Sequence, residues 1–234
     1  LTEGQEKEFV ETMFKTNTLI SAIAATFIST SAFAAVTGTV KTSKKSSTKK
    51  LNMKSDPQCN KISKDKIAND VVVNAGGLAD AIVYIANPPK KKYKAPKKAV
   101  KLDQVGCRYT PKVFGVMVKQ KIEIINSDPM LHNIHPTGKN SFNLAMPTQG
   151  MKLKKKFKKA SVFTPIKCDV HPWMQAYAGV FKHPFFAVTD KNGKFSIDGV
   201  PDGSYDIVAK HPTLGEKKGK LTVSGGNGSA DFKL

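Results

Sequence analysis

Short apolar runs, alternating or β-branched and none longer than a strand, recur along the chain and are separated by Gly, Pro, Asn and Lys-rich breaks. That spacing predicts strands joined by turns; no long segment shows a helical period, so the fold class is all-β. Strands are expected over residues 36–41, 71–73, 81–85, 113–118, 121–126, 153–157, 161–168 and 176–181. A second series follows at 185–189, 195–197, 205–209, 220–223 and 230–234, with Asn192-Gly193 as a hairpin turn between two apolar runs. Residues 42–50, 90–101 and 142–150 read as loops. The layout from 102 to 184 is that of a Greek-key sandwich with a site at one end, and 185–234 forms a smaller β-sandwich module. Residues 35–101 supply N-terminal strands and a Lys-rich linker whose packing partner the pattern leaves open.

The segment 13–35 departs from this rhythm. Met13 and Lys15 precede an apolar stretch from Leu19 to Phe33, and Ala32-Phe33-Ala34 is a small-x-small cleavage site. A secretory signal cleaved near Ala34 is expected, hence a periplasmic or secreted protein; the competing membrane anchor would need a longer run with less Ser, Thr and Ala. Residues 1–12 are acidic where a signal should be basic and read as an over-extended frame. Export makes the odd count of three cysteines meaningful. Cys168 lies in a metal-like motif, leaving Cys59 and Cys107 either as a disulfide or as two inert buried thiols.

The net charge of +20 becomes +22 once residues 1–34 are removed, with 36 basic against 14 acidic residues. Such a field steers a protein toward anionic partners. Arg108 is the only Arg, and the Lys clusters at 44–50, 90–101 and 152–159 lack interleaved aromatics, which argues against nucleic acid. An acidic redox partner, an anionic membrane surface or a merely solvated Lys-rich face all remain open.

The chemistry concentrates in Cys168-Asp169-Val170-His171-Pro172-Trp173-Met174, preceded by His132-Asn133-Ile134-His135. One loop offers a thiolate, an imidazole and a thioether, and a distant strand offers a second imidazole. Two imidazoles and a thiolate with a weak thioether suit both oxidation states of copper, so little reorganises when an electron passes. His135 falls on the opposite strand face from His132, and His183 and His211 have no motif spacing to Cys168.

These residues resemble the copper-site signature of the cupredoxins, with the two-residue spacing on both sides of His171 similar to amicyanin. The fuller match is to exported bacterial plastocyanin-like, methylamine-utilisation-like proteins. Its elements are Asp103-Gln104-x-Gly106-Cys107, Asn126-Ser127-Asp128, the His132-Asn133 pair, the Cys168 loop and the run from His183 to Asp190. Residues 189–205, with Gly193, Phe195, Val200-Pro201, Gly203 and Tyr205, resemble the carboxypeptidase regulatory-like, transthyretin-like sandwich. Lys112 stands where the family pattern often has His.

The resemblance implies one mononuclear type 1 copper with Cys168 as thiolate, His132 and His171 as equatorial imidazoles and Met174 as axial donor. It also implies that Asn133 ties its strand to the Cys168 loop. Pro172 and Trp173 would form an apolar collar at an exposed edge of His171, unless Trp173 simply packs. A periplasmic electron carrier serving a cytochrome c or a dehydrogenase follows. A copper carrier or storage protein and a carbohydrate-like binder are the alternatives. Four protein ligands leave no open position for an enzyme.

Overall fold

Alternation becomes strand over most of the predicted segments in the computed structural model, which describes residues 34–234. The expected signal sequence lies outside the described residues, and among these no helix is long and apolar enough to cross a membrane. The chain opens with β1 (Ala35–Lys41), the short helix α1 (Pro57–Ile62), β2 (Val73–Asn74), β3 (Gly77–Leu78) and β4 (Ile82–Ile85). It continues through β5 (Val100–Gln104), β6 (Tyr109–Thr110), β7 (Val113–Met117), β8 (Ile122–Asn126), β9 (His132–Pro136) and β10 (Leu144–Met146). Then come β11 (Lys152–Lys155), β12 (Ser161–Lys167), β13 (Gln175–Phe181) and β14 (Phe186–Val188). The chain closes with β15 (Lys194–Asp198), β16 (Gly203–His211), β17 (Gly215–Val223), β18 (Gly228–Ser229) and β19 (Phe232–Lys233).

The class is all-β, in two sandwiches. The first pairs the sheet β10-β9-β12-β13-β7 with the sheet β11-β8-β5-β6. Leu102, Ile122 and Ile124 from one sheet meet Ile134, Ile166, Ala178 and Val180 from the other in a common core. Each fully buried Ile or Leu there contributes about 1.5–3 kcal/mol of transfer free energy. The connections β7–β8, β8–β9, β10–β11 and β11–β12 all pass from one sheet to the other, which brings chain segments distant in sequence to the same end.

The second sandwich sets β15-β1-β3-β2, with β18 and β19 also on β1, against β14-β4-β16-β17. Residues 185–234 therefore do not close a sandwich by themselves: Val36, Val40, Leu78, Val83 and Ile85 from the N-terminal strands share a core with Phe195, Ile207, Leu221 and Phe232. Ile82, Val113 and Phe181 form a third, small cluster, with Tyr84 and Phe186 against it, where β4 and β14 meet β7 and β13.

Three local expectations change. Asn192-Gly193 does form a tight turn, with Gly193 at φ 75°, but its flanking strands go to different sheets, β14 to β4 and β15 to β1. The turn closes only at its base, Asp190 N–H donating to the Lys194 carbonyl at 2.9 Å, and it docks on β1, whose Val40 N–H donates to the Gly193 carbonyl at 2.8 Å. The Lys-rich loop ends sooner than expected: Val100–Gln104 buries Leu102 and Gln104 and runs parallel to β8. Residues 144–146 form a strand by pairing with β9. The helix α1 starts by local chemistry, with Asp56 as N-cap and Pro57 at the first helical position, where no N–H is needed.

Candidate metal centre

The loop Cys168–Met174 spans the two neighbouring strands β12 and β13, which are in register at Lys167 and Gln175. It closes on itself: Met174 N–H donates to the His171 carbonyl at 2.9 Å and Cys168 N–H to the Met174 carbonyl at 3.2 Å. Cys168, His171 and Met174 thereby all point inward and are 2%, 2% and 0% exposed. His132 opens the adjacent strand β9, fully buried, and its backbone pairs with Met146.

The loop and β9 bring three donors together. His132 Nδ1 and His171 Nδ1 are 2.9 Å apart, and Cys168 Sγ is 3.8 Å from His171 Nδ1. Met174 is buried in the same core as Cys168. Each imidazole is held from behind by a carboxylate: His132 Nε2 lies 2.9 Å from Asp128 Oδ2, and His171 Nε2 lies 2.9 Å from Asp56 Oδ2. The Cys59 N–H and the His171 hydrogen bond hold the Asp56 carboxyl below the usual carboxylate range. Burial pushes Asp128 the other way, but hydrogen bonds from His132, Cys107 and Gly106 outweigh it.

Ionised carboxylates only accept, so both Nε2 atoms carry the ring hydrogen. Two neutral rings so arranged would face each other with bare Nδ1 lone pairs at 2.9 Å. The cluster therefore calls for a cation among these nitrogens and Sγ, either a proton or a metal ion. Burial would raise the Cys168 thiol, yet hydrogen bonds from His132 and His171 bring it down to about 6. A ready thiolate beside two Nδ1 donors, closed to water, is the chemistry of a soft metal site.

Asn133, 6% exposed, ties β9 to the loop. Its Oδ1 accepts from Asp169 N–H at 2.7 Å, and its Nδ2 donates to Asn143 Oδ1 at 2.6 Å and to Asp169 Oδ2 at 3.1 Å. Tyr109 adds a second tie, its hydroxyl lying between the carbonyls of Asn133 and Lys167. His135 is not among the converging donors; its Nδ1 lies 2.8 Å from Asp169 Oδ2 on the outer side. His183 and His211 are buried in other parts of the fold, His183 beside the rings of Phe181 and Phe185. Lys112 Nζ bonds to the Asn69 carbonyl and to Asp70 and is not among the converging donors.

The expected exposed edge of His171 is closed. Trp173 does lie against the ring, at 5.3 Å between centroids, and Pro172 is exposed. But Asp56 and α1 cap Nε2, the atom that an open collar would have left to solvent. Beside Pro172 and Trp173 opens a cleft of about 430 Å³ whose cationic lining is Lys49, Lys50, Arg108 and Lys112.

In the sequence Asp56 belongs to no chemical motif, and Asp128 stands only at the end of Asn126-Ser127-Asp128. Asp56-Pro57 is a helix-start signal, and Asn126-Ser127-Asp128 is a turn signal. Asn126 indeed shapes that turn, its Nδ2 donating to the Met130 and Met146 carbonyls, both at 2.8 Å. Cys59 and Cys107 form a disulfide with their Cα atoms 5.6 Å apart.

No family model and no curated protein matches this chain. Among solved structures, it is similar to a Cu-containing nitrite reductase from Thermus scotoductus SA-01 at 22% identity and TM-score 0.33. That match covers 41% of this chain and only 25% of the reductase. A purple cupredoxin from Nitrosopumilus maritimus is similar at 20% identity, over 35% of this chain and 98% of that one, with TM-score 0.31. A reduced Cu(I) form of amicyanin is similar at 20% identity, over 42% of this chain and 97% of that one, with TM-score 0.32.

Proposed function

We propose that this protein is an exported single-electron carrier built on one mononuclear copper, which Cys168 Sγ, His132 Nδ1 and His171 Nδ1 would hold with Met174 as a weaker fourth donor. The observation that carries the reading is the facing pair of Nδ1 atoms, 2.9 Å apart, with both Nε2 atoms already committed to carboxylates. When bound, copper would supply reversible one-electron chemistry, and the residues of this chain supply the rest. Burial of all four side chains keeps water and oxidants from the thiolate. Asp128 and Asp56 fix the ring tautomers. Asn133 and Tyr109 hold the two donor-bearing segments at one spacing, so the site changes little between oxidation states.

An acidic redox protein, such as a cytochrome c or a dehydrogenase, suits the surface beside the loop. Supporting this, Trp173 packs on the ring of His171 and lines a cleft that also carries Lys49, Lys50, Arg108 and Lys112 against Asp70, and complementary charge speeds such encounters. The test is the visible spectrum of the Cu(II)-loaded protein beside Cys168→Ser. An intense thiolate-to-copper band present in the wild type and lost in the variant supports the carrier. A weakly absorbing wild type refutes it and transfers the weight to copper delivery.

A further inference from the structure

Both carboxylates behind the histidines rest on the same covalent link. Asp56 Oδ1 accepts from Cys59 N–H at 2.8 Å, leaving Oδ2 for His171. Asp128 Oδ2 accepts from Cys107 N–H at 2.8 Å as well as facing His132, and its Oδ1 accepts from Gly106 N–H at 2.7 Å. Cys59 and Cys107 are bonded to each other. Met130, from the turn that carries Asp128, sets its sulfur 3.5 Å from both cystine sulfurs. Two parallel chains of contact therefore run from one disulfide, through a backbone N–H and a carboxylate, to each imidazole.

We propose that Asp56 and Asp128 are a matched pair of positioning residues, and that the Cys59–Cys107 disulfide is the clamp that holds both imidazoles with Nδ1 free for the metal. The metal half of this inference rests on the copper reading above, whereas the tautomer half stands without it. Capping α1 does not account for Asp56, because a cap uses one side-chain oxygen and Asn or Ser would serve equally. The second oxygen is spent on His171. Without it, His171 can move its hydrogen to Nδ1 and lose the ability to ligate. Because Asp56 lies 115 residues from His171 in sequence and caps a helix of only six residues, the disulfide that joins this helix to Cys107 is what fixes its place.

The test uses the whole protein, metal-free and Cu(II)-loaded, with Asp56→Asn, Asp128→Asn and the pair Cys59→Ala/Cys107→Ala. Asn preserves the cap but presents an N–H to one side, so it cannot serve both the helix and a donating Nε2. Nitrogen-15-resolved imidazole spectra at neutral pH should show exchange-protected Nε2–H signals for both His132 and His171 in the wild type. Asp56→Asn should lose that of His171 alone, and Asp128→Asn that of His132 alone. The cysteine pair should lose both, and each change should weaken copper about 10- to 100-fold in a chelator competition. Unchanged signals and affinity in either Asp variant overturn the proposal, and so do both signals retained in the cysteine pair; if that pair does not fold, the same spectra are recorded on the folded wild type before and after reduction of the disulfide, where unchanged signals overturn the clamp. Protected signals that respond as described in a protein that takes no copper would sink the carrier and keep the clamp.

Discussion

Asn133→Ala removes the tie between β9 and the loop, and its cost can be worked from the contacts. The change strips three hydrogen bonds, but they differ in what they leave behind. Asn143 is exposed and the Asp169 side chain is 37% exposed, so water replaces those contacts at little cost. The Asp169 N–H, whose bond to the 6%-exposed Asn133 is partly buried, loses its acceptor where the truncated side chain cannot replace it. An unmet buried donor costs about 1–3 kcal/mol and a partly buried one lies at the low end, so the metal-free variant should lose about 1 kcal/mol in urea unfolding. Asn143→Ala is the control and should lose under about 0.5 kcal/mol. The copper-loaded variant should retain its metal with a shifted potential, because the loop can now relax. A loss below about 0.5 kcal/mol in Asn133→Ala, or an unmoved potential, would refute the tie.

Two buried histidines far from the metal cluster set a pH limit. Burial pushes both His183 and His211 down to about 4. Their Nδ1 atoms accept backbone N–H groups, from Phe185 in the first case and from Thr213 and Leu214 in the second, which suits only the uncharged ring. Above the unfolded value near 6.5 neither state binds a proton there, and stability is flat. Below it the unfolded chain takes up protons that the folded one refuses, so stability falls by up to about 1.4 kcal/mol per pH unit for each ring until about pH 4. Unfolding midpoints measured across that window should fall less steeply in His211→Gln, and parallel profiles would contradict the assignment. In the second sandwich, a Cβ on Gly38 would strike the carbonyl of Ala230. Gly38→Ala should cost about 1–3 kcal/mol while leaving the absorption spectrum of the loaded protein as it was.

Cys168, His171 and Met174 were legible as a group because they share one loop between paired strands, whereas His132 joined them only through the resemblance of the whole motif. Asn133 was legible for the same reason, being fixed by its neighbour. Asp56 was not, because it reaches His171 from a Lys- and Ser-rich stretch whose pattern carries no period. Only the helix-start signal at Asp56-Pro57 marked the place, and a cap by itself names no second partner. In the first sandwich β8 read well because it alternates with one buried face, and β7 and β13 because their runs are apolar on both faces. β5 was hidden by the lysines running into it, and the turn at Gly193 looked like a hairpin because the competitor for its backbone, Val40, lies far away in sequence.

The pairing of β1 with both β15 and the last strands β18 and β19 gives the molecule a nested order of assembly. The first sandwich is one unbroken stretch of chain, from Val100 to Phe181, and can close as soon as that stretch has emerged. β1 emerges before it and must wait for Phe232 and Lys233, which pair with Val40 and Lys41. A chain delivered from its N-terminus therefore holds the β1 edge that β18 and β19 cover unpaired until residues 228–233 have emerged, the state in which strands seek wrong partners. Loss of the final few residues would leave the donor residues intact and that edge permanently open, so the yield of folded protein depends on a segment that touches none of its chemistry.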